Sequence, residues 1–134
     1  MTNWVVTQTA RFKAASAGAS ISDIHDIAFL GEGSEFIVGY FKWPWENAAS
    51  YTAHSPITFA DRVTTPLLIQ HGEADPRVPV SGAWKFYRAL KTLGKTVEFD
   101  IYPRGGHVLR EPQQQRAQMQ RNFDWMTKWI DVNK

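Results

Sequence analysis

The segment His71-Gly72-Glu73-Ala74-Asp75-Pro76-Arg77-Val78-Pro79 directly follows an apolar run, Pro66-Leu67-Leu68-Ile69-Gln70, and decides how the chain folds. A second polar segment, Tyr102-Pro103-Arg104-Gly105-Gly106-His107, closes the run Thr96–Tyr102. Both runs are short, apolar or alternating, and bounded by proline or glycine, which predicts β-strands. Asp75 and His107 therefore lie just past the carboxyl ends of two strands, the sheet edge at which α/β proteins place their chemistry.

The sequence between the two segments predicts that they lie side by side. An amphipathic pattern from about Val80 to Leu93 predicts a helix between the two strands. Strand, crossover helix and parallel strand form one right-handed unit. Such a unit brings the loops after its strands together, so we expect Asp75 and His107 to be neighbours.

The remaining pattern also alternates between helix and strand. Asn3–Thr9 predicts a short helix and Phe12–Ala19 a strand. Short helices are expected within Ser22–Thr52, and Pro44-Trp45-Glu46-Asn47 predicts a helix start with proline in the first turn. The fold class is therefore α/β, with about three parallel strands and crossover helices.

The last helix is predicted over Glu111–Asp131, with an apolar stripe at helical spacing that we expect to be buried. The stripe consists of Met119, Phe123, Met126, Trp129 and Ile130. Four of the six tryptophans lie on helical patterns and are expected to pack in the interior: Trp4, Trp84, Trp125 and Trp129.

Composition restricts the class of protein. The 134 residues are 43% hydrophobic, which fits one domain with a modest core. The net charge of +2 is spread without a basic run, so we expect neither nucleic acid nor membrane as a partner. No apolar stretch reaches membrane-spanning length and no leader pattern is seen, which favours a cytoplasmic protein.

Cysteine and histidine usage argues against metal chemistry. The chain has no cysteine, which excludes disulfides, a thiolate nucleophile and cysteine-based metal sites. Its four histidines show no tight ligand spacing. We therefore expect no metal and no other cofactor.

The two segments carry a family resemblance. His-Gly-x-x-Asp-x-Arg-Val-Pro and Tyr-Pro-x-x-Gly-His together resemble the C-terminal half of the prolyl oligopeptidase family of serine peptidases, especially its acylaminoacyl-peptidase-like and dipeptidyl-peptidase-like branches. Pro44-Trp45-Glu46 and Ser55-Pro56 match further landmarks. Met1–Trp4 looks like the helix after the family's Gly-x-Ser-x-Gly-Gly nucleophile elbow, and Arg11–Ala15 like the start of the next strand.

The resemblance implies an α/β-hydrolase fold, with residues 1–134 as a single C-terminal fragment of the catalytic domain. It also implies that Asp75 is the triad acid and His107 the triad base. In such a triad the imidazole takes the serine proton, and a buried carboxylate holds the imidazole in the right tautomer. These 134 residues contain no Gly-x-Ser-x-Gly, because they begin a few residues after the expected serine.

Several assignments around the site remain open. Glu73 competes with Asp75 for the role of acid, although the motif places the carboxylate at Asp75. Arg77 is either a pocket residue that orients the loop or a solvated charge. Gly105 and Gly106 are expected to give the loop before His107 access to positive φ. Trp43 and Trp45 are candidates for the lining of a substrate pocket.

Three serines are candidates for a substitute nucleophile. Ser22 comes first, because it lies just past the first predicted strand, and Ser34 and Ser55 lie in loops. Each also has a purely structural interpretation. Ser22 before Asp23 reads as a helix cap, Ser34 as a turn flanked by glycine, and Ser55 before proline as the start of a turn.

Three functions are compatible with the sequence. The first is a serine hydrolase fragment for ester or peptide substrates that is inert or slow alone, because it lacks the nucleophile and the adjacent oxyanion-hole amide. The second is a minimal esterase that uses a substitute serine in a dimer. The third is a non-catalytic interaction module, with an N-terminal complementary half as partner.

The first strand would normally pair with a strand that is not in this sequence. A long apolar edge of a parallel sheet is rarely left in water. We therefore expect self-association, most simply as a two-fold homodimer that pairs or covers that edge.

Overall fold

The computed structural model describes residues 1–130, in which three parallel strands form one open sheet. The strands are β1 (Ala15–Gly18), β2 (Leu67–Gly72) and β3 (Val97–Tyr102), in the order β1-β2-β3. The register pairs Ala17 with Ile69 and Ile69 with Phe99. Every residue of β2 is buried, as expected for a central parallel strand. The predicted α/β fold is confirmed.

Six α-helices and one 3-10 helix surround the sheet in the described part of the chain. They are α1 (Thr2–Gln8), α2 (Ile24–Leu30), α3 (Ser34–Phe41), α4 (Ala48–His54), the 3-10 helix (Pro56–Arg62), α5 (Val80–Thr92) and α6 (Pro112–Trp129). The predicted crossover helix thus ends one residue earlier than expected. Among residues 1–130, no helix is both long and apolar enough to cross a bilayer.

Strand β1 is shorter than the predicted Phe12–Ala19. Its first ladder bond runs from the Ala15 amide to the Pro66 carbonyl, at 2.9 Å. Pro66 has no N–H to donate in return, so the ladder cannot extend towards the amino end of β1. The Thr65 hydroxyl instead donates to the Phe12 carbonyl, at 3.2 Å.

The predicted helix start at Pro44-Trp45-Glu46-Asn47 is wrong, because these residues form a turn. The Glu46 amide donates to the Trp43 carbonyl at 2.9 Å. The Glu46 carboxylate in turn accepts from the Trp43 amide at 3.0 Å. This reciprocal pair closes the turn, and helix α4 begins only at Ala48.

The main apolar core lies between the sheet and helices α1 and α5. Leu67 and Ile69 point from β2 into this layer and pack with Phe86 and Leu90 of α5 and Val6 of α1. All five are at most 1% exposed. Burial of each large apolar side chain contributes roughly 1.5–3 kcal/mol, which fixes α5 against β2 and thereby the loop that joins them.

Helix α6 covers the opposite face of the sheet through polar contacts. The Asn122 Oδ1 atom accepts from the Ser16 hydroxyl at 2.6 Å and from the Gln70 amide at 2.8 Å. The Tyr102 hydroxyl donates to Gln70 Oε1 at 2.5 Å. The Trp125 indole donates to the Ala15 carbonyl at 3.0 Å. One network therefore joins α6 to all three strands.

Ion pairs add to this attachment. The Arg121 guanidinium of α6 lies 2.7 Å from Glu98 Oε2 and also contacts Asp100 on β3. These contacts lower the pKa of Glu98 and raise the pKa of Arg121. Burial, together with the nearby Asp100, raises the pKa of Tyr102 to about 12. The Tyr102 hydroxyl therefore remains a hydrogen-bond donor at neutral pH.

The stripe predicted to be buried on α6 is largely exposed. Met119 is 72% exposed, Phe123 67% and Ile130 36%. The helix instead turns Asn122 and Trp125 to the sheet. Because the sheet ends at β1, nothing in the described chain covers the neighbouring stripe, of which Met126 and Trp129 are only half-buried.

The predicted tryptophan packing is correct only in part. Trp125 is buried, whereas Trp4 and Trp129 are half-buried. Trp84 is 41% exposed and packs edge-on against Phe99, with ring centroids 5.0 Å apart.

Replacement of Asn122 by alanine tests the polar attachment of α6. The variant leaves the Gln70 amide and the Ser16 hydroxyl without their shared acceptor, which costs about 1–3 kcal/mol of unfolding free energy. Gln113→Ala, at an exposed position of the same helix, is the control and should change stability little. Urea unfolding measures both, and equal stability of the two variants would contradict this account.

Candidate active site

The two predicted site residues meet at the carboxyl edge of the sheet. Asp75 lies in the loop after β2 and His107 in the loop after β3. His107 Nδ1 lies 2.9 Å from Asp75 Oδ2. The Asp75 side chain is fully buried, whereas that of His107 is 35% exposed. The pair thus has a protected carboxylate and an imidazole that solvent and ligands reach.

The orientation of Asp75 is set by its own loop. Its Oδ1 atom accepts from the Arg77 amide at 2.9 Å and from the Val78 amide at 3.0 Å. Such a turn, in which an aspartate side chain binds the backbone just ahead of it, fixes the carboxylate plane. The second oxygen, Oδ2, is thereby directed to His107.

Backbone contacts hold the two loops together. The Ala74 amide donates to the Gly105 carbonyl at 2.8 Å, and the Glu73 amide to the Tyr102 carbonyl at 2.9 Å. A Cβ atom at Gly72 would lie 2.3 Å from the Gly106 carbonyl oxygen, which is too close for two non-bonded atoms. Gly72 is therefore required for the close approach that lets His107 reach Asp75.

The expectation of positive φ at Gly105 and Gly106 is wrong. The positive φ in this loop belongs to Arg104, at 61°. Gly105 contributes close packing instead, because a Cβ atom there would lie 2.6 Å from the Leu109 side chain and 3.0 Å from the Tyr102 carbonyl oxygen. The geometry that brings His107 into place thus rests on space at Gly72 and Gly105.

The arrangement favours general-base chemistry at the far nitrogen of His107. An Asp75 carboxylate on Nδ1 selects the tautomer with the proton on that nitrogen, which leaves the Nε2 lone pair free to accept a proton. Such a base activates a hydroxyl placed within hydrogen-bond reach.

Glu73, the competing acid, does not contact His107. Its side chain is exposed, and its Oε2 atom accepts from the Arg104 amide at 3.3 Å. Asp75 is the carboxylate that the structure pairs with the imidazole.

Two cavities flank His107. One, of about 570 Å³, includes Gly18 and Ala19 at the end of β1 together with His71, Gly72 and His107. The other, of about 410 Å³, brings together His107 and three arginines, Arg77, Arg104 and Arg110. Arg77, predicted as a possible pocket residue, is exposed and lines this second cavity.

The three candidate serines have structural hydrogen bonds. Ser22 is 0% exposed, and its hydroxyl donates to the Gly82 carbonyl at 2.5 Å. The Ser34 hydroxyl donates to the Ala28 carbonyl at 2.7 Å, and Ser55 Oγ accepts from the Ile24 amide at 3.0 Å. None of the three lines either cavity beside His107.

Trp43 and Trp45 lie elsewhere as well. Their rings stack in parallel, with centroids 4.9 Å apart and an interplanar angle of 6°. Phe29 stacks on Trp43 at 6.1 Å, and Trp45 is 71% exposed. The two tryptophans form an aromatic surface that does not line either cavity beside His107.

Sequence reasoning missed His71. This residue is the last but one of β2, and its Nε2 atom lies 2.9 Å from the Val78 carbonyl oxygen and 3.5 Å from Asp75 Oδ2. A histidine near the end of a largely apolar strand, four residues before the acid, was the available signal. His71 was considered only as a metal ligand, for which the spacing of the four histidines is unsuitable.

Replacement of Gly72 by alanine tests the close approach of the two loops. The added Cβ collides with the backbone at Gly106, so the loops must separate. We expect a loss of about 1–3 kcal/mol in unfolding free energy and weakening of the His107–Asp75 hydrogen bond, read from the NMR signal of the His107 Nδ1 proton.

Gly39→Ala is the matched control for this change. Gly39 lies inside α3, where a Cβ atom meets nothing within 4 Å. The substitution should therefore stabilise the protein by about 0.5–1 kcal/mol. A Gly72→Ala variant that keeps both its stability and the His107 signal would show that the close approach is unnecessary.

Comparison with known proteins places these features in a family. Residues 1–133 match the Prolyl oligopeptidase family, peptidase family S9. The uncharacterized peptidase YuxL of Bacillus subtilis is 37% identical over 138 aligned residues, which cover 98% of this chain and 20% of that protein. Human acylamino-acid-releasing enzyme is 44% identical over 57 residues, 42% of this chain and 8% of its own length.

Solved structures show the same fold. Acylaminoacyl peptidase from Pyrococcus horikoshii superimposes with a TM-score of 0.91 at 27% identity, over 100% of this chain and 23% of that one. A puromycin-hydrolyzing peptidase of Mycobacterium tuberculosis gives 0.86 at 26% identity, over 94% and 20% of the two chains. The chain therefore spans about a fifth of the length of these relatives.

Proposed function

Because the chain belongs to the prolyl oligopeptidase family, we propose that Asp75 and His107 form the acid–base half of a serine hydrolase site for peptide or ester bonds. The observation that carries the proposal is the 2.9 Å contact between His107 Nδ1 and the buried Asp75 carboxylate. His107 is the general base, and Asp75 orients it and stabilises its protonated form.

The nucleophilic serine comes, in this proposal, from a segment outside these 134 residues. The serines weighed within the chain are engaged in structural hydrogen bonds, and Ser22 is fully buried. In contrast, the cavity that contains His107 extends to Gly18 and Ala19 at the carboxyl end of β1. A strand added beside β1 would present its own carboxyl end to this cavity.

The free edge of β1 supports the same idea. In the described chain, β1 pairs only with β2. The backbone N–H and C=O groups on its other side are therefore available to pair with a further strand. The exposed side chains Met119 and Phe123 of α6 lie on the helix that crosses β1 through Ser16 and Trp125. One added segment could both pair with the β1 edge and cover this apolar surface.

Substrate would occupy the cavities on either side of His107. The general base must lie next to both the attacking hydroxyl and the leaving group. The cavity lined by Arg77 forms one part of that space. Its arginines can donate hydrogen bonds to carbonyl or carboxylate oxygens of a peptide. The names of the relatives describe peptidases, which supports peptide bonds as the principal substrate class.

Reconstitution tests this function. The chain is mixed or co-expressed with the part of Bacillus subtilis YuxL that precedes the matched region and would carry the elbow. A fluorophosphonate then reports an activated serine by intact mass. We expect no adduct on the isolated chain, and in the complex one adduct on the added segment that disappears with His107→Ala.

Two carboxylate variants separate the candidate acids. Asp75→Asn should lower the labelling rate by about 10⁴-fold, because it loses the tautomer that presents Nε2 as a base. Glu73→Gln should label nearly as fast as the unchanged chain, because Glu73 does not contact His107. A complex that forms but whose labelling does not depend on His107 would contradict the proposed function.

An adduct on the isolated chain would favour the minimal esterase instead. Peptide mapping would then identify the serine, and Ser22→Ala would test the first candidate. Its burial and its bond to Gly82 predict that this substitution changes stability, with no effect on labelling.

In the absence of a complementary segment, we propose that two copies of the chain associate through the β1 edge and the exposed face of α6. Light scattering after size exclusion should give a dimer at micromolar concentration. Phe123→Lys should shift it to monomer, because the change puts a charge at the centre of the apolar face.

Phe36→Lys is the matched control for this test. Phe36 has the same exposure as Phe123, 67%, but lies on α3, which packs mainly against α2. It should leave the dimer intact. A stable monomer of the unchanged chain at these concentrations would rule out self-association.

A further inference from the structure

His71 is a titratable residue next to the site whose side chain is as completely enclosed as that of Asp75. Its side chain is 0% exposed. Its Nδ1 atom is buried without a hydrogen-bond partner in the described chain. A buried polar atom without a partner costs free energy that a leucine of similar size would avoid. A hydrogen bond of the other ring nitrogen, Nε2, must therefore offset that cost.

The contacts of Nε2 indicate the tautomer. This atom lies 2.9 Å from the Val78 carbonyl oxygen and 3.5 Å from Asp75 Oδ2. Both neighbours are acceptors, so the proton is on Nε2 and is donated mainly to Val78. The 3.5 Å separation from Asp75 Oδ2 is too long for a good hydrogen bond. The Nε2–H dipole therefore interacts with this carboxylate only electrostatically.

Val78 connects this bond to the orientation of Asp75. Its amide donates to Asp75 Oδ1 at 3.0 Å, and its carbonyl accepts from His71. His71 thus fixes the residue that fixes the carboxylate. The same carboxylate presents Oδ2 to His107 at 2.9 Å.

We propose that His71 is a positioning residue of the site: its Nε2–H holds Val78 and, through it, the Asp75 carboxylate in the plane that His107 requires. This inference rests on the proposed function for its catalytic meaning, although its structural effect is measurable in the isolated chain. His71 lines the cavity beside His107, but its fully buried side chain acts through Val78 and Asp75 and not on the reacting nitrogen.

The test compares two substitutions of His71 in the 134-residue chain. His71→Leu keeps volume and removes the donor, whereas His71→Gln keeps an N–H at the reach of Nε2. The readout is the proton NMR signal of His107 Nδ1–H and its exchange with solvent. We expect exchange to be about tenfold faster or more in His71→Leu, because the bond from His107 to the carboxylate loses its alignment.

His71→Gln should restore most of the protection, which a role in packing alone would not predict. Ile69→Val is the stability control, because Ile69 is fully buried on the same strand and packs in the apolar core with Phe86 and Leu90. It should weaken the fold without changing His107 exchange selectively. Asp75→Asn identifies the signal, because the asparagine oxygen stays on the Arg77 and Val78 amides and its NH2 group, a donor, then faces His107 Nδ1.

The outcomes separate this inference from the proposed function. Equal His107 exchange in the unchanged chain and a folded His71→Leu variant would overturn the positioning role alone. If His71→Leu does not fold, unprotected exchange in a folded His71→Gln variant would overturn it equally. Absence of the His107 Nδ1–H signal from the unchanged chain would contradict the Asp75–His107 contact, and both proposals would then fail.

Discussion

Burial of a carboxylate is costly unless N–H groups surround it, and the site depends on how Asp75 meets this condition. Two backbone amides bind one oxygen, and the imidazole of His107 binds the other. Each donor belongs to a loop that begins at the end of a central or edge strand. The packing of α5 on β2 and the close contact at Gly72 position these loops. The Asp75 carboxylate therefore depends on both for its N–H donors.

The part of the site predicted from sequence is the part that short-range patterns determine. Two strands, a crossover helix and two motifs suffice to place Asp75 beside His107, because parallel connections have one hand and leave little freedom. The choice of Asp75 over Glu73 came from the family resemblance, and in the structure Asp75, not Glu73, contacts His107. His71 was missed because its importance comes from a contact with the Val78 carbonyl that no residue pattern encodes.

The incorrect prediction of a buried stripe on α6 has its physical origin in the narrow sheet. Periodicity on α6 identified an apolar stripe, but it could not show how many strands lie beneath the helix. With three strands, the helix is held by Asn122, Arg121 and Trp125, and Phe123 is left in solvent. The turn at Trp43–Glu46 and the short β1 are local exceptions, caused by a side-chain cap and by the missing N–H of Pro66.

The free edge of β1 and the cavity beside His107 lie at one boundary of the described chain. The cavity beside His107 ends at Gly18 and Ala19, where β1 has no second neighbour in the described chain. A strand that paired there would satisfy the backbone of β1, cover the apolar face of α6 and bring its own carboxyl end to the imidazole. Assembly and catalysis would then be coupled, because the contacts that stabilise the sheet are those that deliver the nucleophile.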